Sequence, residues 1–344
     1  MDSLGQERCW AEIDLLAVRH NAQVARERSG AELLAIVKAN AYGHGLIEIT
    51  RALREQAALF GVANVHEAIE LQESGIEQPI LILGPALPEE RVAIVRCGFI
   101  ASVSSAAETR AFGPGVMIDL VVDTGMGRMG CREEEAVAEL QAIAQMPEVK
   151  LHSVSTHLPV ADEDASFTKE ELVRFQELVR QLRTRILGAW KAHVLLSAGI
   201  FGFAQHRFET VRAGLMLYGC SPLPNEQKSI HPVMTLKSRV ALLRNLPAGR
   251  SISYGRTFIT PRPMRVATIS AGYADGFPRS LSNRDAAVLV SGQRCPVLGR
   301  ITMDLTMVDV SALSAGQLGD EVVLLGRQGS EEILAAELAE RAGT

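Results

Sequence analysis

One lysine stands where an apolar run gives way to a turn rich in glycine and asparagine. Leu33–Val37 is continuously apolar, which is typical of a buried strand, and Lys38 follows it directly. The turn Ala39–Gly45 comes next, and an amphipathic helical pattern begins at Leu46. Burial lowers the pKa of a lysine amine and makes it a nucleophile or a Schiff-base anchor. The alternative is a lysine at a barrel rim, with its stem packed on the protein and its amine in water.

Further polar residues occur where later apolar runs end. The segments are Asp123–Gly130, which contains Arg128, then Thr156–His157 and Ser197–Gly199; a fourth, Arg212–Leu215, lies within the last run. Each has a structural alternative, because most strand-end His and Ser side chains only satisfy hydrogen bonds and most Arg side chains pair with carboxylates. In a parallel barrel the carboxyl ends of all strands lie on one face, where active sites form. The repeated placement therefore predicts one site that includes Lys38.

The elements that must position these residues alternate between apolar runs and amphipathic helical patterns. Such alternation implies a parallel sheet, and eight runs before residue 225 predict a closed (βα)8 TIM-type barrel. A doubly wound open sheet is the alternative, but no G-x-G-x-x-G follows the first run. The linker at 199–203 is expected to be too short for a full helix. The predicted strands are Leu33–Val37, Leu59–Ala63, Ile80–Leu83, Phe99–Val103, Val116–Val122, Val149–Ser155, Ala192–Leu196 and Thr210–Leu217.

A change in composition at Ser221–Ser229 predicts a domain boundary. This segment is rich in Pro and polar residues, so we expect a barrel domain over 1–225 and a second domain over 226–344. Beyond it, strand-like runs are separated by Gly, Pro and Asn turns, which predicts a small antiparallel β domain. The runs are Met234–Arg244, Met264–Ser270, Ala286–Val290, Thr306–Val310 and Glu321–Leu325, with a final helix over Ile333–Arg341.

Composition excludes several classes of protein. The 344 residues are 47% hydrophobic, with a mean hydropathy of +0.11, which fits a globular protein with a large core. The net charge of -5 and the lack of a Lys/Arg run argue against nucleic acid as a partner. The polar start and the lack of an apolar stretch near 18 residues predict no signal peptide and no membrane span. Five scattered cysteines without C-x-x-C predict reduced thiols, no metal site and a cytoplasmic location.

The segment Val37–Gly45 (Val-Lys-Ala-Asn-Ala-Tyr-Gly-His-Gly) resembles the lysine signature of alanine racemases, which use pyridoxal 5'-phosphate (PLP). The match is long and contiguous, and the later strand-end segments resemble the family in the same order. The resemblance implies that Lys38 carries PLP as an imine and that Tyr42 lies near its phosphate. It further implies that Arg128 contacts the cofactor and the substrate carboxylate, that His157 lies near the pyridine ring, that Ser197, Gly214 and Leu215 hold the phosphate, and that Arg212 faces the pyridine nitrogen.

An arginine opposite the pyridine nitrogen has a chemical consequence. The guanidinium of Arg212 is permanently charged and only donates hydrogen bonds, so it disfavours protonation of the ring. Most PLP enzymes place a carboxylate there, which makes the ring a stronger electron sink. A weak sink suits a racemase, which must return a proton promptly.

The second domain resembles the family at the residues that would complete the site. Racemisation needs proton carriers on both faces of Cα; Lys38 is one, and the resemblance supplies Tyr254 of the partner subunit as the other. Tyr254 considered alone is an aromatic residue of a β domain with a satisfied hydroxyl. By resemblance Met303 contacts the substrate carboxylate, while Tyr273 and Asp304 lie at the entrance.

The resemblance implies a homodimeric alanine racemase that interconverts L- and D-alanine by two-base proton transfer and supplies D-alanine for peptidoglycan. A PLP decarboxylase of the same architecture is a second possibility, but the stretch Ser253–Thr257 and the lack of a decarboxylase-type cysteine motif argue against it. A barrel that only carries PLP is a third, and the second domain argues against it. Substrate breadth stays open, since pocket size discriminates neighbouring side chains by only about 1–3 kcal/mol.

Two features depart from the family pattern. Many members have a lysine, often carbamylated, two residues before the Asp of Asp-Thr-Gly-Met-Gly-Arg, where this chain has Val121. Arg128 must therefore be oriented by an anion, a water or another side chain. The family usually continues beyond the equivalent of Thr344 into a strand whose tyrosine binds the phosphate. We expect this chain to bind PLP less tightly than a version extended by that strand.

Overall fold

The structure is a computed structural model that describes residues 7–313 and 316–344. It contains two compact units, Leu15–His231 and a second unit that joins Pro232–Thr344 to residues 7–14. The sequence had placed the N-terminal residues with the barrel and the boundary at 225. The physical reason for the difference is strand β1 (Cys9–Ile13), which pairs antiparallel with the strand Met234–Leu246.

The unit Leu15–His231 is built on a closed parallel barrel, as predicted. Its strands are β2 (Glu32–Ile36), β3 (Ala57–Val62), β4 (Ile80–Ile82), β5 (Ile100–Val103), β6 (Met117–Asp123), β7 (Cys131–Arg132), β8 (Lys150–Ser155), β9 (Lys191–His193) and β10 (Thr210–Ala213). They pair in the order β5-β4-β3-β2-β10-β9-β8-β6, and pairing between β5 and β6 closes the ring. The short β7 extends the edge of β6.

Helices follow most of the strands. They are α1 (Leu15–Ser29), α2 (Lys38–Gly43), α3 (Leu46–Leu53), α4 (Val65–Glu73), α5 (Arg91–Cys97), α6 (Ala106–Arg110), α7 (Ala136–Ala144), α8 (Ala165–Arg185) and α9 (Ser197–Gly202). All except α2 and α9 lie where amphipathic patterns predicted them; α2 occupies the segment predicted as a turn. The side chains of Asn64, Ser105 and Asp164 accept backbone N–H groups at the starts of α4, α6 and α8, as N-caps do. The short α9 occupies the linker in which no full helix was expected, and Ser197 begins this helix instead of ending a strand.

The second unit is an antiparallel β domain, in agreement with the sequence pattern. Its elements are β11 (Met234–Leu246), β12 (Ser251–Ile252), β13 (Phe258–Ile259), β14 (Met264–Ile269), β15 (Ala287–Val290), β16 (Gln293–Pro296), β17 (Thr306–Asp309), β18 (Glu321–Gln328), β19 (Glu331–Ile333) and α10 (Ala335–Ala342). The main sheet has the order β16-β15-β18-β11-β14-β17, with β1 on β11 and β19 on β18. A buried cluster that includes Ile269, Phe277 and Val322 forms the core of this unit.

The barrel strands carry two groups of buried side chains, one apolar and one polar. Leu34, Leu59, Leu81 and Ile100 pack into one buried apolar cluster. Other inward positions carry polar side chains that are at most 9% exposed: Ser102, Asp119, Ser153, Ser155, His193 and Arg212. Buried polar groups require partners, so these side chains are expected to form hydrogen bonds inside the barrel. Within the described residues, no helix has both the length and the apolar character needed to cross a bilayer.

Candidate active site

A cavity of about 500 Å³ opens at the carboxyl end of the barrel strands. This volume is within the range of sites that hold small molecules. The structure brings together every barrel residue that the sequence had singled out, since all of the following line the cavity: Lys38, Tyr42, Arg128, His157, Ser197, Arg212, Gly214 and Leu215. Lys38 comes just after β2, and Gly214 and Leu215 come just after β10.

The turn after Lys38 has an unusual backbone. The residues Ala39–Tyr42 all have positive φ, between 52° and 55°, so α2 is left-handed there. Left-handed helix costs about 1–2 kcal/mol for each L-residue, and distant contacts must stabilise it. Glu67 on α4 supplies one: its Oε1 accepts the Ala39 N–H at 2.6 Å, and its Oε2 accepts the Ala63 N–H at 2.8 Å. This turn places both Lys38 and Tyr42 at the cavity.

Tyr42 is held by an aromatic neighbour. Its ring stacks on Tyr218 with centroids 4.7 Å apart, and the Tyr218 hydroxyl donates to the Ile36 carbonyl at 2.8 Å. Burial raises the pKa of Tyr42, so its hydroxyl keeps its proton and is able to donate. A Cβ at Gly214 would lie only 2.9 Å from the Tyr42 hydroxyl oxygen, which explains glycine there.

Ser197 accepts backbone N–H groups at another part of the cavity wall. Its Oγ accepts the N–H groups of Gly214 and Met216, each at 3.2 Å. Convergent N–H groups and a hydroxyl form a concave surface suited to an anion such as phosphate. Because both contacts are long for hydrogen bonds, a phosphate oxygen would be a stronger acceptor for these donors.

Three cationic side chains meet a neutral imidazole in the cavity. Burial lowers the pKa of the Lys38 amine, and the charges of Arg128 and Arg212 lower it further against the opposing effect of Glu67. The pKa of His157 is lowered to about 3, mainly by burial and further by the positive charges of Arg212, Arg128 and Lys38. The buried Nδ1 of His157 has no hydrogen-bond partner among the described residues. An amine with depressed pKa, an unpartnered imidazole nitrogen and an anion cradle together fit a planar, anionic aldehyde cofactor.

Arg212 is supported from inside the barrel by residues that the sequence analysis did not single out. Its NH1 donates to the Thr156 carbonyl at 3.4 Å and to Nδ1 of His193 at 3.3 Å. On the far side of the imidazole, Nε2 lies 3.3 Å from Oδ1 of Asp119. A carboxylate within an apolar run was the signal that could have identified this support.

The loop that carries Arg128 is tied to two neighbours. Asp123 accepts the N–H groups of Gly125 and Gly127, and Thr124 hydrogen-bonds both Thr156 and the buried Glu171. These contacts tie the loop that follows β6 to the end of β8 and to α8.

Val121 borders a second, smaller cavity. This cavity has a volume of about 20 Å³ and is also lined by Arg128 and Arg212. Such a volume has room for one water-sized group.

The β-domain candidates lie on loops of their own unit. Tyr254 begins a short 3-10 turn and is 71% exposed, and Met303 is 54% exposed. The Tyr273 N–H donates to the Thr302 carbonyl at 3.0 Å, which places the Tyr273 segment beside the loop of Met303 and Asp304. Where the chain is described, no cluster of three His, Cys, Asp or Glu side chains is arranged to bind a metal ion.

Comparison with known proteins identifies relatives of both units. The family model for the alanine racemase N-terminal domain matches residues 13–222, and that for the alanine racemase C-terminal domain matches residues 233–344. The alanine racemase of Methylacidiphilum infernorum is 40% identical over 352 residues, covering 98% of this chain and 88% of the relative. That of Symbiobacterium thermophilum is 41% identical over 356 residues, covering 100% of this chain and 94% of the relative.

Solved structures agree with these matches. The alanine racemase of Clostridium difficile superposes with a TM-score of 0.90 at 30% identity, covering 99% of this chain and 92% of that one. The Bacillus anthracis alanine racemase with bound L-Ala-P gives a TM-score of 0.89 at 33% identity, with the same coverage of 99% and 92%. With both domains matched and the sequence similarity extending over nearly all of it, this chain belongs to the alanine racemase family.

Proposed function

We propose that this protein interconverts L-alanine and D-alanine with PLP bound at the mouth of the barrel. The observation that carries the proposal is the convergence of Lys38, Arg128, His157 and Arg212 on one cavity, in a chain of this family. The lowered pKa of Lys38 leaves more of its amine neutral than in a lysine exposed to water, as a nucleophile requires.

The cavity residues divide the work of holding the cofactor. Lys38 would hold the aldehyde end of the cofactor through its amine, Tyr42 and Ser197 would face the phosphate, and the N–H groups of Gly214 and Leu215 would complete the cradle. Arg212 would donate towards the pyridine nitrogen, and neutral His157 would lie beside the ring. When bound, PLP supplies the electron sink that makes the Cα proton of the amino acid removable.

Two groups move the proton. The Lys38 amine would accept or return the proton on one face of Cα. Tyr254 of the partner subunit serves the other face, so the active form is a homodimer with shared sites. The high exposure of Tyr254 in its own unit supports this role, because the phenol is free to reach a second chain.

The remaining assignments concern the substrate. Arg128 and the partner's Met303 bind its carboxylate, and the partner's Tyr273 and Asp304 line the approach. The physiological role that we propose is cytoplasmic supply of D-alanine for peptidoglycan.

The test is to incubate the protein with PLP and L-alanine and to measure D-alanine by chiral chromatography. We expect the native chain to produce an equal mixture of L- and D-alanine, and Lys38→Ala to produce no D-alanine. The Tyr254→Phe substitution should slow abstraction of the Cα proton from one enantiomer of alanine far more than from the other. Release of CO2, or no reaction by the cofactor-loaded native protein, would refute the proposal.

A further inference from the structure

Asp119 is a buried carboxylate beneath the cavity. It belongs to β6 and is 1% exposed. Ser153 Oγ donates to its Oδ1 at 2.8 Å, and Ser155 Oγ donates to its Oδ2 at 2.7 Å. Burial alone would raise the pKa of Asp119, but His193 and the two hydroxyls outweigh burial and hold it at about 2. Asp119 is therefore an anion in the interior of the barrel.

His193 lies between this anion and Arg212. Its Nε2 lies 3.3 Å from Asp119 Oδ1, and its Nδ1 lies 3.3 Å from Arg212 NH1. Because a guanidinium only donates hydrogen bonds, Nδ1 must be the acceptor, and the imidazole proton resides on Nε2 facing the carboxylate. Burial, together with the charge of Arg212, lowers the pKa of His193 despite the opposing effect of Asp119, so the ring is neutral.

Arg212 needs a counter-charge. Its side chain is 9% exposed and lies near two other cations, Lys38 and Arg128. Burial lowers the pKa of Arg212, and the charge of Asp119 raises it again. A buried charge without compensation tends to move towards water, and this movement would carry the guanidinium out of the cavity wall.

We propose that Asp119 is a positioning residue that, through His193, provides the buried counter-charge and fixes the Arg212 guanidinium towards the pyridine nitrogen of the cofactor. The part that concerns the cofactor rests on the proposed function, whereas the charge pairing does not. The competing explanation is that Asp119 only anchors Ser153 and Ser155 of the neighbouring strand β8.

A double-mutant cycle separates the two explanations. The variants are Asp119→Asn, Arg212→Gln and their combination in the full chain. Ser153→Ala is the control, because it removes one hydrogen bond to Asp119, and one to His152, but keeps the charge of Asp119. The readout is the melting temperature, which does not depend on catalysis. Coupled residues give non-additive effects, and independent ones give additive effects.

We expect Asp119→Asn and Arg212→Gln each to lower the melting temperature by about 5 °C or more. The decrease in the double variant should be smaller than the sum of the two single decreases by at least about 3 °C. Additive losses would overturn the proposal. If Asp119→Asn alone does not fold, a folded double variant supports the pairing, and an unfolded double variant contradicts it.

Steady-state kinetics give the second readout. Asp119→Asn should lower kcat for alanine on the order of tenfold. Losses of this size occur in metal sites when the hydrogen-bond partner of a metal-binding histidine is removed. KM should change less than kcat, because Arg128 and the partner's Met303 bind the substrate, and Ser153→Ala should retain most of kcat. An unchanged kcat in Asp119→Asn would refute the link to the cofactor. A native chain without racemase activity would instead defeat the proposed function and leave the melting cycle to decide the pairing.

Discussion

The left-handed turn after Lys38 depends on one carboxylate, and Glu67→Gln tests that dependence. Glu67 uses both oxygens: Oε1 accepts the Ala39 N–H at 2.6 Å and Oε2 accepts the Ala63 N–H at 2.8 Å. Glutamine has nearly the same shape but replaces one oxygen with an NH2 group. In either amide orientation, one of the two backbone donors then faces another donor.

The magnitude follows from this loss. A hydrogen bond to a charged group contributes about 1.5–3 kcal/mol, and Glu67 is half-buried, so we expect a loss of about 2 kcal/mol in the stability of the turn. This corresponds to about 30-fold in an equilibrium constant. Since the turn carries Lys38 and Tyr42, the dissociation constant of PLP should rise by up to the same factor.

Amide hydrogen exchange at Ala39 and Ala63 measures the local effect, and a PLP titration measures its consequence. The matched control is Glu70→Gln, an exposed position on the same helix α4. If Glu67→Gln and Glu70→Gln agree within about 0.5 kcal/mol at these amides, the scatter of ordinary surface substitutions, then the carboxylate does not stabilise the turn.

Three further predictions follow from single contacts. Ala39→Gly should stabilise the protein by up to about 1 kcal/mol in urea unfolding, because glycine relieves the strain of the positive φ at this position. The control Ala138→Gly, in the right-handed helix α7, should destabilise the protein by about 1 kcal/mol. Destabilisation by both substitutions would contradict the left-handed turn. Gly214→Ala should raise the PLP dissociation constant by about tenfold, because its Cβ would lie 2.9 Å from the Tyr42 hydroxyl, and unchanged binding would show that the ring can move away. The pKa of His157 is about 3 in the folded protein, against an ordinary value of 6.5, so its neutral form stabilises the fold above pH 6.5 and this stability is lost as the pH falls towards 3. Near pH 5.5, each unit by which the pH is lowered should reduce the unfolding free energy of the native protein by about 1 kcal/mol more than that of His157→Gln. Equal pH dependence of the two unfolding free energies would refute the depressed pKa.

The sequence was informative wherever a periodic pattern determined the structure. Continuous apolar runs such as Leu33–Val37 are typical of barrel strands that are buried on both faces, and the alternation with helices determined their parallel order. Because parallel strands end on one face, the strand-end residues Lys38, His157 and Arg212 were expected to share a site. All three line one cavity.

Long-range contacts limited the prediction elsewhere. The left-handed turn relies on Glu67, 28 positions from Ala39, and no local pattern indicates that contact. The strand Cys9–Ile13 pairs with Met234–Leu246, which lies in the other half of the chain. Asp119 and His193 are polar residues inside apolar runs, and their partners become apparent only once the barrel closes.

The most direct test of the proposed site is to fix the cofactor to the chain and find where it is attached. Borohydride reduction of the protein incubated with PLP, followed by peptide mass spectrometry, identifies the amine that bears the cofactor. We expect the label on the peptide that contains Lys38, and its loss in Lys38→Ala. A label on another lysine, or none on the native protein, would contradict the site proposed at the mouth of the barrel.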